Sequence, residues 1–317
     1  MGMSAPYSLG GLGMIPPPPL VAQWAHVISR FSRFLDNLQL TLLQQVDGQT
    51  KKNGVVSCLN AAYYGSNSDI DNSFYIGSWG KGTAIRPPRD VDIYFVLPPS
   101  VYWRLSAYKH NGQSALLQEV KGVLQNRYPK TTYIRGDGPV VLVGFESYSV
   151  EVVPAFLLDN GGYWVCSTKN GGACVQTSPW AEIVHINSSD QRNGANLRPL
   201  VRMLKSWQAN CSVPIKSFHL ELITVEYLDQ SPWRLSGFFW YDWLVRDFFL
   251  YLCNRANTFV VAPGTGEWMW LGDAWKSKAE TAYGRAVKAS AFEAQNLMIA
   301  AGEEWQKIFG LDIPKVV

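Results

Sequence analysis

The stretch Gly77-Ser78-Trp79-Gly80-Lys81-Gly82-Thr83-Ala84-Ile85, followed by Asp90-Val91-Asp92 at the head of an apolar run, constrains this chain more than anything else in it. A glycine-serine turn can offer backbone N–H groups to phosphate oxygens, and two aspartates two residues apart on a strand project to the same side of the sheet. A nucleotide carrying its divalent cation needs both.

The chemistry explains the spacing. Moving a nucleotidyl group to a hydroxyl commonly uses two divalent ions held roughly 3.5–4 Å apart, one for the attacking oxygen and one for the leaving oxygen. Magnesium is hard, prefers oxygen ligands, and takes one or two protein carboxylates together with substrate phosphates. Asp90 and Asp92 meet that requirement, and a third acid is expected from a neighbouring strand. Glu151 is the candidate, in Tyr148-Ser149-Val150-Glu151-Val152-Val153-Pro154-Ala155-Phe156. Val150 and Val152 alternate with it toward a core, which turns Glu151 toward the metals. Each piece has a plainer reading, since an Asp-x-Asp also marks a solvated strand face and a Gly-Ser pair is often only a turn. Their order along the chain argues for a site.

A second pattern lies further on. From Leu197 to Gln208 the apolar residues Leu197, Leu200, Val201, Leu204 and Trp207 fall at a helical period, while Arg198, Arg202 and Lys205 form a basic stripe. A solvated helix face accounts for such a stripe, and Arg198 is read that way. Ser217 stands where it could cap a helix over residues 218–228. His219 falls inside that helix and reads as a packed histidine; the four histidines show no close pairing, which argues against a histidine metal site.

At this point the sequence resembles the polymerase-beta-like nucleotidyltransferases, in particular the branch holding the oligoadenylate synthases and the bacterial cGAS/DncV-like nucleotidyltransferases. The resemblance runs through G-S-x-G-K-G-T-A-I with D-V-D-I, V-E-V-V-P-A-F, the Leu197 to Trp207 helix and Ile215-Lys216-Ser217-Phe218-His219-Leu220-Glu221-Leu222, about Phe74 to Leu228 in all. The family often has Asp as third acid where this chain has Glu151. The resemblance implies an α+β fold: a nucleotidyltransferase lobe with a mixed sheet, flanking helices and a long N-terminal spine helix, then a mostly helical lobe. The expected division is 1–177 and 178–317. It implies Mg2+ or Mn2+ on Asp90, Asp92 and Glu151, with Glu151 also a candidate base, and a donor triphosphate on Gly77, Ser78, Lys205 and Ser217. Substrates would be nucleoside triphosphates, ATP or GTP, and the product a cyclic di- or trinucleotide that switches on a downstream effector in anti-phage defence. Three alternatives stay open: a linear oligoadenylate synthase activated by duplex RNA, a transferase acting on a tRNA, antibiotic or protein, and a catalytically silent nucleotide-binding module.

Composition narrows the classes. With 317 residues, 47% apolar and 17% charged, the chain can bury a sizeable core and is not disordered. A net charge of +3 is mild for a protein that depends on extended duplex nucleic acid, so none is expected as an obligatory partner. Five cysteines without a C-x-x-C pair or a secretory segment read as reduced thiols in a cytoplasmic protein. The aromatic segment 238–253 is interrupted by Asp242, Arg246 and Asp247, which favours a buried amphipathic helix over a membrane span.

Element by element, Pro16 to Pro19 read as a stiff arm and residues 20–43 as a long helix, broken near Asp47-Gly48 and resumed toward Tyr64. Strands are expected at 73–76, 91–97, 131–135, 140–145 and 148–153, with a helix over 114–127. Residues 159–178 read as a loop or short hairpin, and the rest as mostly helix, ending in 276–309.

Overall fold

The computed structural model describes residues 24–108, 111–131, 133–169 and 172–317; the Pro16 to Pro19 arm and the start of the helix expected from residue 20 lie outside them. At the centre is a mixed sheet whose main path runs β3 (Tyr133–Asp137), β4 (Val140–Gly144), β5 (Ser149–Leu157), β2 (Asp90–Val96) and β1 (Ser73–Tyr75). Among the described residues only β2 and β5 run parallel; the far half of β5 continues antiparallel into β6 (Tyr163–Ser167) and β7 (Ala173–Thr177).

The two faces of this sheet differ because side chains alternate along each strand. Val91, Ile93, Val141, Val143, Val150 and Val152 form one dry layer, covered by α2 (Leu42–Tyr64), α4 (Pro99–Ser106) and α5 (Gly112–Arg127). The other face carries Asp90, Asp92 and Glu151, with the short α3 (Gly77–Gly80) placed against β2.

The N-terminal helix breaks elsewhere than expected. α1 (Val27–Leu38) ends at Gln39, and α2 begins behind a capping box in which Thr41 and Gln44 bond reciprocally. α2 then runs unbroken through Asp47-Gly48. Gly48 is there for close packing: a Cβ on it would lie 2.6 Å from the Trp79 ring.

A second core gathers α1, α6 (Pro179–Arg192), α7 (Leu197–Asn210), α8 (Ser217–Gln230), α9 (Tyr241–Cys253), α10 (Lys276–Ala294) and α11 (Met298–Phe309) around Trp207, Trp275 and Trp305, all fully buried. α1 thus packs with the later helices, although it precedes the sheet, and α2 carries the chain across. The aromatic segment becomes a 3-10 turn followed by α9, whose Leu244, Val245, Phe248 and Phe249 are buried. A small hairpin, β8 (Phe259–Val261) with β9 (Trp268–Trp270), was not expected from the sequence. Among the described residues no helix is long and apolar enough to cross a membrane.

Within 159–178, β6 pairs antiparallel with β7, and Cys166 faces Cys174 across the strands and is joined to it as a disulfide. Only Cys58, Cys211 and Cys253 are free, so the expectation of five reduced thiols does not hold. The pairing is set by strand register, which cysteine spacing alone does not reveal.

Candidate active site

Parallel pairing puts Asp92 beside Glu151 and Asp90 beside Ser149, so the three acids share one face at the amino-terminal ends of β2 and β5. Ligand oxygens of Asp90, Asp92 and Glu151 all lie within 4.8 Å of one another. Among the described residues none of the three has a lysine or arginine ion-pair partner. Burial, then the negative charges of Asp90 and Glu151, push the Asp92 carboxyl up to about 7. Asp90 is raised mainly by burial, and Glu151 by burial and then by Asp90. Carboxylates crowded so that each is pushed toward its protonated form are short of positive charge. An all-oxygen set at this spacing, with no histidine or cysteine in it, suits a hard divalent cation.

The glycine-serine turn is pressed onto these acids. Gly77 has φ +54, and a Cβ on it would lie 2.2 Å from Asp92 Oδ2, so both backbone conformation and space require glycine. The turn is tied down by the Ile76 N–H donating to Asp92 O at 3.0 Å and the Trp79 indole N–H donating to Asp90 O at 2.9 Å.

Facing the acids across a cavity of about 280 Å³ is a wall built by α7 and α8. Its lining includes Gly77, Ser78, Asp90, Asp92, Lys205 and Ser217, so six of the seven expected site residues meet there, with Glu151 joined through the carboxylate group. Lys205 Nζ lies 2.9 Å from Glu221 Oε1 and 2.8 Å from Thr83 Oγ1. Glu221 is shared: its other oxygen lies 2.9 Å from Lys81 Nζ, which also reaches Glu182 at 3.0 Å. Burial alone would raise the Glu221 carboxyl, but Lys205 and Lys81 outweigh it and hold that carboxyl well below the usual range.

Two expectations change here. Ser217 is the first residue of α8 and does not cap it; the N-cap is Lys216, and the Ser217 hydroxyl donates to Gln208 Oε1 at 2.8 Å. Arg198 is no solvated residue: it pairs with Asp190 and donates through Nε to Lys81 O at 2.9 Å, while Arg202 donates to Gly82 O at 2.8 Å. The basic stripe on α7 therefore holds the Gly80 to Thr83 segment in place. His219 is buried within α8. Sequence reasoning passed over Lys81, Thr83 and Glu221 as site residues. A glutamate set among apolar residues in Leu220-Glu221-Leu222 was the available signal, because a buried carboxylate demands a cationic partner.

A mixed sheet with an acid pair and a third acid on adjacent strands, a glycine-serine turn pressed onto them and a lysine-bearing helix facing them across the cavity, has a fold of the nucleotidyltransferase class. Residues 26–193 match the Second Messenger Oligonucleotide or Dinucleotide Synthetase domain, and the chain belongs to that family. It is similar to the CBASS oligonucleotide cyclase CdnC of Escherichia coli (strain KTE188), 26% identical over 188 residues, which are 56% of this chain and 56% of that protein. The chain thus spans about half the length of the curated relatives it matches. Among solved structures, Escherichia coli MS115-1 CdnC with ATP superposes with a TM-score of 0.62 at 19% identity, covering 90% of this chain and 98% of that one. Vibrio cholerae DncV in its apo form gives 0.68 at 13% identity, covering 91% and 96%. At these identities the likeness is one of fold.

Proposed function

We propose that this protein is a divalent-metal-dependent nucleotidyltransferase that condenses nucleoside triphosphates into a cyclic di- or trinucleotide, a second messenger for an effector in anti-phage signalling. The observation that carries the reading is the carboxylate group of Asp90, Asp92 and Glu151, two of whose members line one cavity with Lys205. The relatives add support: CdnC is a CBASS oligonucleotide cyclase, and DncV has been solved with ATP and GTP.

Asp90, Asp92 and Glu151 would hold Mg2+ or Mn2+, which when bound neutralises charge at the attacking and leaving oxygens. Gly77 and Ser78 would seat the donor triphosphate at the turn, and Lys205 with Ser217 would hold its outer phosphates. The acceptor hydroxyl oxygen bonds to the donor α-phosphorus, the bond from that phosphorus to the bridging oxygen breaks, and pyrophosphate leaves. Glu151 would take the hydroxyl proton. In this reading residues 1–177 bring the acids and the turn, and residues 178–317 bring the phosphate-holding wall.

The test is to incubate pure protein with paired labelled triphosphates and Mg2+ or Mn2+, then resolve phosphatase-resistant products. Replacing both Asp90 and Asp92 by Ala should cut product by about a thousandfold or more while leaving the far-UV spectrum intact, since metal charge stabilisation is worth several kcal/mol. Undiminished product in that variant would place the chemistry elsewhere. A strict requirement for added duplex RNA, with linear product, would point to an oligoadenylate synthase instead.

A further inference from the structure

The face that carries the acids does not end at Glu151. Strand pairing continues it in two rows: Asp92, Glu151, Leu142 and Arg135 lie side by side across β2, β5, β4 and β3, and Asp90, Ser149, Gly144 and Tyr133 form the next row. Paired residues in neighbouring strands share a face. Tyr133 and Arg135 therefore stand on the catalytic side of the sheet, beyond the third acid and away from the wall that holds Lys205.

The local geometry is that of a platform. Gly144 has no side chain, and a Cβ there would lie 2.6 Å from the Tyr133 ring, so the ring lies across β4. Its hydroxyl reaches Ser149 Oγ at 3.2 Å, two residues before Glu151 on the same strand, or about 7 Å along it. Tyr133 is 42% exposed, and the Arg135 guanidinium stands over its ring 5.5 Å from the centroid. A second cation joins from another element: Lys169 folds over Gly138 in the β3–β4 turn, where the Thr168 N–H donates to Gly138 O at 3.0 Å. Among the described residues neither Arg135 nor Lys169 has a carboxylate within ion-pair distance. A half-exposed aromatic ring, two cations without a carboxylate partner and the third acid about one nucleoside away make a coherent set.

Resting on the nucleotidyltransferase reading, we propose that Tyr133 and Arg135, with Lys169, seat the acceptor nucleotide. The Tyr133 ring stacks on its base, the two cations take its phosphates, and its sugar hydroxyl is turned toward Glu151. Aromatic stacking tolerates any base, so this seat sets affinity for the acceptor more than choice of base.

Calorimetric titration of the intact protein with α,β-methylene ATP and GTP in Mg2+ tests this without turnover. The wild type should bind two nucleotides per chain. Tyr133→Ala and Arg135→Glu should each weaken the second site by about tenfold or more, as expected for loss of one stacked base, and leave the first unchanged. Tyr133→Phe should keep both sites. A ring that merely covers the strand glycine would lower the melting temperature of Tyr133→Ala and spare the second site. Two undisturbed sites in both variants, or a single site in the wild type, overturns the assignment. A wild type that binds no nucleotide overturns the transferase reading, and this seat with it.

Discussion

The two walls of the cleft handle charge in opposite ways. On the sheet side three carboxylates crowd together with no ion-pair partner, and all three are pushed toward the protonated form. On the helical side Glu221 is already neutralised by Lys81 and Lys205, and Lys81 has Glu182 as well. The first wall carries negative charge that no ion pair among the described residues offsets. The second is complete as it stands, and in the transferase reading a triphosphate reaching Lys205 or Lys81 would compete with a carboxylate already in place. The same kinds of side chain thus serve recruitment on one wall and rigid positioning on the other.

Removing the centre of the complete wall should have the largest effect on folding. Glu221→Ala leaves buried Lys205 with no carboxylate and Lys81 with Glu182 alone, and loss of one partner of a buried pair costs about 3–5 kcal/mol. Urea denaturation would read this as a lower midpoint with an unchanged slope. A loss below 1 kcal/mol would mean that the lysines find water or another carboxylate, and the contrast between the walls would weaken.

Response to pH should separate the walls by sign. Asp92 is raised from 3.8 to about 7, so its contribution to stability is present in full below pH 3.8 and is lost as pH rises through 7. Glu221 is depressed below 4.5, so its contribution is present above pH 4.5 and is lost only as pH falls through its folded value. Metal-free protein should therefore lose stability across the approach to pH 7, and Mn2+ should raise the melting temperature more at pH 8 than at pH 5.5. Equal shifts at both values would show that the acids bind no cation together.

The smallest expected effect is at Ser217. Its hydroxyl makes one partly buried hydrogen bond, to Gln208, so Ser217→Ala should cost about 1 kcal/mol of stability. In the transferase reading it should also raise the KM for the donor severalfold with kcat nearly unchanged. A collapse of kcat instead would move Ser217 from holding phosphate to the reacting centre.

Much of the acid wall was legible because strand alternation is a local rule: Val150 and Val152 facing a core oblige Glu151 to face away. The helix break was legible too, yet was misplaced. The Thr41-to-Gln44 capping box marked it, while Gly48 suggested a break that contact with Trp79 makes unnecessary. Cys166 with Cys174, and Lys81 with Glu221, were not legible, because each pair is brought together by strand register or by packing between distant segments.

The sequence alone determined which residues could serve and which way each would point from its own strand or helix, since periodicity and turn chemistry act over a few residues. The tertiary structure decided which of those residues meet. Parallel pairing of β2 with β5 set Glu151 beside Asp92, and the packing of α7 and α8 against the Gly80 to Thr83 segment closed Glu221 onto two lysines. The reason is physical: whether a charge is satisfied depends on neighbours a few ångströms away in space, and those neighbours lie far off along the chain.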